Sequence, residues 1–451
     1  MESHLNSTDV VLLENFQYKL PSNASYVTDR KQSSYFASGS NIYSPTGTRV
    51  VKISINDASA WLDPESVLLQ FVVENKSSVA ALKLYPISAT AFFRRVRIMA
   101  GNGVVLEDIS DYNRVHHLFE IMKTSLERES ADALGVGYHT DDWGFNGGKT
   151  TTGDANLMAI PGASHMVYSF KPLCGILKQD KMLPLKYLQG ITFEFEIVSN
   201  LSDAVVSTTG LPDNTANGIF ALDNTSDLWE IRDCQIKCQT CTLDNNLQNH
   251  YDKHMLDGKN IVIHYDQLIT TSQSLGTANR DVSVNVTRAC GRLKKLYVTQ
   301  HKDASTFQYV TTSHKYMKPW NVLIHAMGVG YGGLYDGTKE SEFEVQIGGK
   351  KFPERAQAST SEQFFHFKQC VGKSPSITKV EYIENKHVLA VDCQKVPALG
   401  AGINSKQGEL MNIRLKYPST VGDTSLPSEL TVYLVAESLA EISDSGVLVL
   451  D

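Results

Sequence analysis

The chain has 451 residues, a formal net charge of −7 and 42% apolar residues. This length allows two or three domains with full hydrophobic cores, and the composition excludes a disordered chain. A mildly acidic chain is poorly suited to wrap nucleic acid through its overall field, so we expect no sequence-specific nucleic acid binding. The densest basic runs, at residues 93–97 and 292–295, lie inside strand-like patterns and leave a local basic patch facing a genome as an open alternative.

The cysteines and the first residues indicate the compartment. The seven cysteines are an odd number and are mostly flanked by strand-forming residues, so reduced, buried thiols are expected. Residues 1–6 lack the basic-then-apolar order of a signal peptide. No segment reaches the ~18 uncharged apolar residues that a membrane-spanning helix needs. The sequence therefore predicts a protein without a transmembrane segment that is made and used inside a reducing cell.

Apolar and polar residues alternate with period two through much of the chain, which is typical of antiparallel strands that bury one face. In Ile191–Ile197 every odd position is apolar and every even position is polar. Turn signals rich in Gly, Pro and Asn separate such segments. The same alternation recurs at Val51/Ile53/Ile55, Val67/Leu69/Phe71/Val73, Val282/Val284/Val286, Phe343/Val345/Ile347, Ile413/Leu415/Tyr417 and Leu430/Val432/Leu434.

Three segments carry helical periodicity instead. The first covers residues 112–127, with Ser110 or Asp111 as its N-cap. The second begins near Asn245, and the third begins with a capping box at residues 359–362 and ends near Gly372. Because few helices stand among many strands, the βαβ alternation of a nucleotide-binding sheet is excluded and an all-β fold is predicted.

One sequence of elements occurs twice, roughly half a chain apart. A strand, a glycine turn, Glu107 and a helix in the first half correspond to a strand, a glycine turn, Glu354 and a helix in the second. This repetition fits two similar β domains. Residues 200–227, rich in Ser, Thr, Asn, Gly and Pro, are either the domain boundary or a long surface loop, and residues 135–162 form another long loop. We expect an N-terminal arm at 1–28, a first domain at 29–225 and a second at 226–451.

Loose sequence patterns in a characteristic order carry a resemblance that extends over nearly the whole chain. They comprise Tyr43-Ser44-Pro45-Thr46-Gly47, Ala60-Trp61-Leu62-Asp63-Pro64, Arg97-Ile98-Met99-Ala100-Gly101-Asn102-Gly103, Asp108-Ile109-Ser110-Asp111-Tyr112-Asn113, Leu183-Pro184-Leu185-Lys186-Tyr187-Leu188, Trp229-Glu230-Ile231-Arg232-Asp233-Cys234, Ile347-Gly348-Gly349-Lys350-Lys351-Phe352-Pro353, Gly402-Ile403-Asn404-Ser405-Lys406-Gln407-Gly408 and the segment 438–447. In their order and in total length, the chain resembles the double jelly-roll major capsid proteins of the adenovirus-hexon lineage. It is most similar to those of polinton-like viruses and virophages.

The resemblance implies two tandem eight-stranded antiparallel jelly rolls with a few short helices in the connections. It also implies a homotrimer that forms a pseudo-hexameric capsomer and tiles the icosahedral shell of a DNA virus. The implied partners are neighbouring capsomers, a penton protein and minor or cement proteins. The location is the virion capsid, after synthesis in the host cytoplasm or assembly in the nucleus. Residues 1–28 would form an arm that orders against a neighbour.

The sequence contains only weak matches to nucleotide-binding, metal-binding and catalytic motifs. Residues 144–150 are one residue short of a phosphate-binding loop, and the glycines at 328, 330 and 333 are not followed by a helix. Cys234, Cys238 and Cys241 lack a second pair of zinc ligands, and His116 and His117 are expected at a helix surface or interface. The acid pairs Asp141-Asp142 and Glu194/Glu196 are interpreted as solvated. We therefore predict no catalytic, cofactor-binding or metal-binding residue, no cofactor and no enzymatic activity.

Two alternatives from other classes stay open. The first is a secreted tandem β-sandwich protein that binds carbohydrate or acts as an adhesin, against which the missing signal peptide counts. The second is a β-sandwich hydrolase, in which the mutation of one acidic pair would abolish activity.

Overall fold

The structure of the chain is a computed structural model. It describes residues 27–78, 81–84, 88–124, 135, 159–199, 205–208, 227–276, 279–301, 341–372, 377, 382, 387–394, 402–406, 410–418, 426–427, 429–444 and 446–450. The predicted loops that contain Asp141-Asp142, residues 144–150 and the glycines at 328, 330 and 333 lie outside these ranges, as does nearly all of the predicted arm.

The first half of the chain forms two large antiparallel sheets and one small one. The strands are β1 (Val27–Phe36), β2 (Ile42–Tyr43), β3 (Val50–Ile55), β4 (Ala60–Leu62), β5 (Leu68–Asn75), β6 (Ala81–Leu84), β7 (Phe93–Ala100), β8 (Val105–Ser110), β9 (Ala159–Ile160), β10 (His165–Phe170), β11 (Leu183–Pro184), β12 (Ile191–Ile197), β13 (Val205–Thr208) and β14 (Trp229–Leu243). One sheet has the order β10-β5-β14-β4-β11, with β1 and β2 also paired to β14, and the second has the order β3-β12-β7-β8. The small sheet has the order β13-β6-β9.

The second half repeats this arrangement with two antiparallel sheets. The strands are β15 (Ile261–Ser274), β16 (Asp281–Val286), β17 (Leu293–His301), β18 (Glu342–Ile347), β19 (Lys350–Gln357), β20 (Val388–Asp392), β21 (Met411–Lys416), β22 (Glu429–Ser443) and β23 (Gly446–Leu450). The sheet orders are β15-β22-β17-β20, with β23 paired to β22, and β16-β21-β18-β19. We call strands β1–β14 the first sandwich and strands β15–β23 the second sandwich.

Alternating side chains fill both cores, as the period-two patterns predict. On β12 the odd positions are buried and the even positions are half-buried. In the first sandwich, Phe71 contacts the rings of Phe92, Phe93, Tyr168 and Phe170 at centroid distances of 5.2–6.5 Å. In the second, the inward faces of β16, β18 and β21 form a separate apolar cluster. The all-β, antiparallel fold class is confirmed.

The described helices are short, and three of the four lie where the sequence predicts a helix, whereas the one-turn helix at Leu185–Leu188 is not predicted. They are α1 (Tyr112–Met122), α2 (Leu185–Leu188), α3 (Asn245–Leu256) and α4 (Thr360–Val371), with 3-10 turns at Pro64–Ser66, Ala89–Phe92 and Gly175–Leu177. Helix α4 begins with the predicted capping: Ser359 Oγ accepts the Glu362 N–H, and the Glu362 carboxylate accepts the Ala358 N–H. It ends at Gly372, whose φ of +75° is readily accessible to glycine. Among the described residues, none of the helices combines the length and the apolar character that a membrane span requires.

The sheets divide at a different position from the predicted boundary at residue 226. Strand β14 lies after that residue, yet it is a central strand of the first sandwich and pairs with β1, β4 and β5. The change from one sandwich to the other therefore falls between Leu243 and Ile261, where α3 connects them. The segment between β13 and β14 has the loop-like composition on which the predicted boundary was based. Because both strands belong to the first sandwich, this segment connects two strands of one domain rather than two domains. Composition reveals a loop but not which sheet the next strand joins, since pairing partners lie far away in sequence.

The repeated elements are also present. Strands β7 and β8 form a hairpin that leads into α1, and β18 and β19 form a hairpin that leads into α4. The acidic residues of the two units differ in their environments. Glu107 is fully buried, whereas Glu354 is exposed. The repetition therefore describes the backbone rather than a shared chemical role.

Candidate functional site: the junction between the two sandwiches

Polar side chains connect the two sandwiches along one surface. Strand β8, the start of α1 and the segment 172–179 of the first sandwich face β15 and the start of β22 in the second. We call this contact the junction. Within the described residues no strand of one sandwich pairs with a strand of the other, so side chains and single backbone groups make the connection.

A β-bulge in the β7–β8 hairpin prepares the junction. Ile98 pairs with Glu107 and Met99 pairs with Val105, which leaves Leu106 as the extra residue. A bulge interrupts the in–out alternation, so Leu106 and Glu107 are both buried. The carbonyl of Leu106 accepts a hydrogen bond from the hydroxyl of Tyr265 on β15.

Glu107 is the central polar group of the junction. Its Oε1 accepts the N–H of Gly175 at 2.9 Å and that of Leu268 at 3.4 Å, and its Oε2 accepts the N–H of Ile176 at 3.1 Å. Gly175 and Ile176 open a 3-10 turn of the first sandwich, whereas Leu268 lies on β15 of the second. Burial raises the pKa of the Glu107 carboxyl from 4.5 to about 7, although the three N–H donors and Lys178 oppose this shift.

Gly175 allows the two backbones to approach. A Cβ atom at this position would lie 1.8 Å from the carbonyl oxygen of Asp266 on β15. Real atoms do not come so close, so any side chain at residue 175 would force β15 away from the 3-10 turn. The nearby loop is fixed by Tyr112, whose hydroxyl accepts the N–H of Leu173 at 2.6 Å.

A partly buried ion pair lies at the other end of the junction. Arg114 on α1 donates two hydrogen bonds to the Glu429 carboxylate on β22, at 2.6 and 3.2 Å, and one to Thr431 Oγ1 at 3.2 Å. The side chains of Arg114 and Glu429 are 13% and 24% exposed. The paired carboxylate raises the pKa of Arg114 despite the opposing effect of burial. Bidentate pairs of this kind fix orientation as well as adding energy.

Two further hydrogen bonds continue the row between the Glu107 and Arg114 contacts. Thr270 donates to the carbonyl of Ser110 at 2.6 Å, and Ser272 donates to the Asp111 carboxylate at 3.0 Å. Asp111 is the N-cap residue of α1, as predicted from the alternatives Ser110 and Asp111, but its side chain makes no capping hydrogen bond. Its carboxylate bonds to the second sandwich instead.

The cysteines and the acid considered in the sequence analysis as possible metal ligands or catalytic groups do not belong to the junction. Cys234, Cys238 and Cys241 lie buried on β14, and burial raises the pKa of the Cys234 and Cys238 thiols to about 12. Within the described ranges no group of three or more His, Cys, Asp or Glu side chains is arranged to hold a metal. Glu194 on β12 forms ion pairs on the sheet's polar face.

The prediction of a surface or interface position for His116 was wrong. His116 is 4% exposed, and its ring centroid lies 6.0 Å from those of both Tyr112 and Phe170. The buried face of α1 is therefore wider than the stripe of apolar residues indicates. His117 beside it is half-buried.

Sequence reasoning did not identify the junction. The sequence marks Glu107 only as one acid of a repeated pattern, and no sequence pattern points to Arg114. A usable signal is present at Glu107, since a period-two pattern places this acid on the same face as the apolar residues Val105 and Ile109. Its partners lie 68 to 161 residues away in the sequence, which no local pattern reveals.

Comparison with known proteins gives a fold. No protein-family model matches the sequence, and no curated protein matches it. Solved structures do match. PBCV-1 VP54, in a crystal structure fitted into a cryo-EM reconstruction of the virophage Sputnik, gives a TM-score of 0.58 at 11% identity, covering 96% of this chain and 99% of that one.

Two further structures agree. A chain of the cryo-EM structure of the Sputnik virophage gives a TM-score of 0.57 at 11% identity, covering 96% of this chain and 90% of that one. The Faustovirus major capsid protein gives 0.56 at 9% identity, covering 96% and 94%. Because each match extends over both sandwiches, the chain has the double jelly-roll fold of these viral capsid proteins.

Proposed function

We propose that the chain is the major capsid protein of a DNA virus and acts by assembly, without a catalytic role. Three copies form a capsomer that is pseudo-hexameric because each copy supplies two sandwiches. These capsomers tile an icosahedral shell together with neighbouring capsomers, a penton protein and minor or cement proteins. The virion capsid is then the place where the protein acts.

The observation that carries the proposal is the extent of the structural match. Both sandwiches and the connection between them are shared with viral capsid proteins over 96% of this chain. A single β-sandwich occurs in proteins of many functions, and fold alone is weak evidence of function. Two sandwiches in the same order, spanning nearly the whole of each chain, are a much more specific likeness.

The junction supports this role. A pseudo-hexameric tile requires the two sandwiches of each copy to keep a constant mutual orientation. Glu107 and the Arg114–Glu429 pair make directional contacts between them, at both ends of the junction. Apolar contact is also continuous there, since Leu268 and Tyr433 of the second sandwich belong to the same core cluster as Phe71.

An exposed edge strand also favours assembly with other protein chains. Among the described residues, β23 pairs only with β22, and its sequence contains neither a charge nor a proline. Leu448 is 56% exposed and Val262 is 44% exposed, and both flank Glu441 on one face of the sheet. Unprotected edges and exposed apolar patches of this kind are usually covered by partners.

The basic strands favour protein contacts over nucleic acid. Arg95 donates to Asp108 at 2.7 Å, and Arg97 lies 3.4 Å from Glu194. In the other basic run, Lys294 lies 2.6 Å from Asp266. These carboxylates neutralise positive charge that would otherwise be available to a phosphate backbone.

The mass of the purified full chain in solution tests the proposal. Light scattering coupled to size exclusion should give three times 49.9 kDa. A species that stays at 49.9 kDa at every concentration, and also after incubation under the conditions used to assemble capsids, would contradict it.

A further inference from the structure

The Glu107 carboxylate is enclosed in an unusual way. It is fully buried, and its three N–H donors come from both sandwiches. In the described part of the chain no cationic side chain lies within salt-bridge distance of it. Buried carboxylates usually face a cation, because an isolated charge in the interior is costly. Backbone N–H groups therefore supply all the hydrogen bonds described for this carboxylate, and the more distant Lys178 adds only a longer-range attraction.

Among the described residues, few ionisable groups face Glu107. Lys178, beyond the 3-10 turn, exerts an attraction without a hydrogen bond, and the Cys174 thiol lies just before that turn. From α1 the facing group is the Tyr112 hydroxyl, which the Leu173 N–H occupies. From β15 it is the Tyr265 hydroxyl, which bonds to Leu106. Burial raises the pKa of both Tyr112 and Cys174, so neither ionises near neutral pH.

We propose that Glu107 is a pH-sensitive contact between the two sandwiches, which holds the junction closed while its carboxyl group is neutral and loosens the junction when that group ionises. With its proton on Oε2, the neutral acid removes the charge from the interior, while Oε1 still accepts the N–H groups of Gly175 and of Leu268 on β15. The ionised acid places a net charge at the contact with β15, where opening of the junction would hydrate it.

The direction of the effect follows from proton linkage. The folded chain binds this proton more tightly than the unfolded chain does, because the pKa of Glu107 is raised from 4.5 to about 7. The stabilisation is fully present below pH 4.5 and is lost as the pH rises through 7. Between pH 5 and pH 8 this single group should increase the unfolding constant by about tenfold to about a hundredfold.

Other carboxylates act in a different range of pH. Hydrogen bonds and nearby cations hold the pKa of Asp108 and of Glu437 below the ordinary values, despite burial. Their contribution to stability is present above the ordinary carboxyl pKa and is lost as the pH falls through the lowered one. Between pH 5 and pH 8, the pH dependence of unfolding that comes from Glu107 can therefore be separated from that of these carboxylates. Histidine titration also contributes in this range, but it contributes equally to two variants that contain the same histidines, so it drops out of their ratio.

The test compares the native chain with Glu107→Gln, which has the shape of the neutral acid and cannot ionise. Urea unfolding is measured for both from pH 5 to pH 8. The ratio of their unfolding constants should rise at least about tenfold across this range. A ratio that stays constant within about twofold would overturn the proposal. Glu354→Gln, at the exposed acid of the second repeat, is the matched control and should not change the pH profile.

A measurement on the native chain decides the matter if Glu107→Gln does not fold. Hydrogen exchange of the Gly175, Ile176 and Leu268 amides is followed between pH 5 and pH 8, after correction for the intrinsic rate. Their protection should fall as the pH rises, whereas protection of the Phe193 and Phe195 amides on β12 should change less. An equal change at both places would contradict the proposal, whatever the oligomeric state.

Discussion

The ion pair between Arg114 and Glu429 offers the clearest test of how the two sandwiches are held together. Replacing Arg114 by Met keeps most of the side-chain volume and leaves the Glu429 carboxylate without its bidentate partner. Breaking a buried pair costs about 3–5 kcal/mol, since one charge stays buried and uncompensated. Because these side chains are still 13% and 24% exposed, we expect the lower end of that range, about 3 kcal/mol.

The chain contains a matched control for this substitution. Arg414 and Asp281 also form a bidentate pair, at 3.1 and 2.8 Å, but their side chains are 52% and 54% exposed. Arg414→Met should therefore have little effect, because solvent already screens the pair. Any small effect there should disappear in concentrated salt, whereas that of Arg114→Met should persist.

Urea unfolding at pH 7, followed by tryptophan fluorescence and circular dichroism, measures both changes. A double-mutant cycle with Glu429→Leu isolates the coupling, which should be about 1–3 kcal/mol. Equal losses for Arg114→Met and Arg414→Met, or additive effects of Arg114→Met and Glu429→Leu, would refute the view that this pair joins the sandwiches.

Three other changes test different parts of the structure by the same unfolding assay or by thiol labelling. Gly175→Ala should lower the free energy of unfolding clearly, because its Cβ would meet the Asp266 carbonyl. Gly349→Ala is the control and should have little effect, since nothing lies within 4 Å of a Cβ at that position. Similar losses of stability for the two variants would contradict the close approach at Gly175. Phe71→Ala should cost about 3–5 kcal/mol by opening a cavity among aromatic rings, and a loss below about 1 kcal/mol would argue against its central position. The Cys234 and Cys238 thiols, whose pKa burial raises to about 12, should react with a thiol reagent at pH 8 only after unfolding, and fast labelling of the folded chain would be inconsistent with their burial.

Features encoded by neighbouring residues could be predicted from the sequence. The alternation in β12 depends only on which face each side chain occupies, so seven residues suffice to define it. The ends of α4 depend on Ser359 and Gly372, each acting within one turn of its own helix. These local rules gave the fold class, and the order of the sequence patterns gave the resemblance to double jelly-roll capsid proteins.

Features that depend on distant partners could not be predicted in the same way. The assignment of β14 to the first sandwich rests on pairing with β1, about 200 residues earlier in the chain. The burial of Glu107 results from a one-residue bulge and from donors on two other segments. The interior position of His116 depends on Phe170, which belongs to a strand that follows a long connection.

Imaging of the purified full chain by cryo-electron microscopy would provide the most direct evidence for or against a capsid subunit. Particles of three copies, each contributing two adjacent β-sandwiches to a ring of six, would agree with the proposed capsomer. Particles of a single copy, or an oligomer in which the two sandwiches of one chain lie in separate positions without the Glu107 and Arg114 contacts, would contradict it.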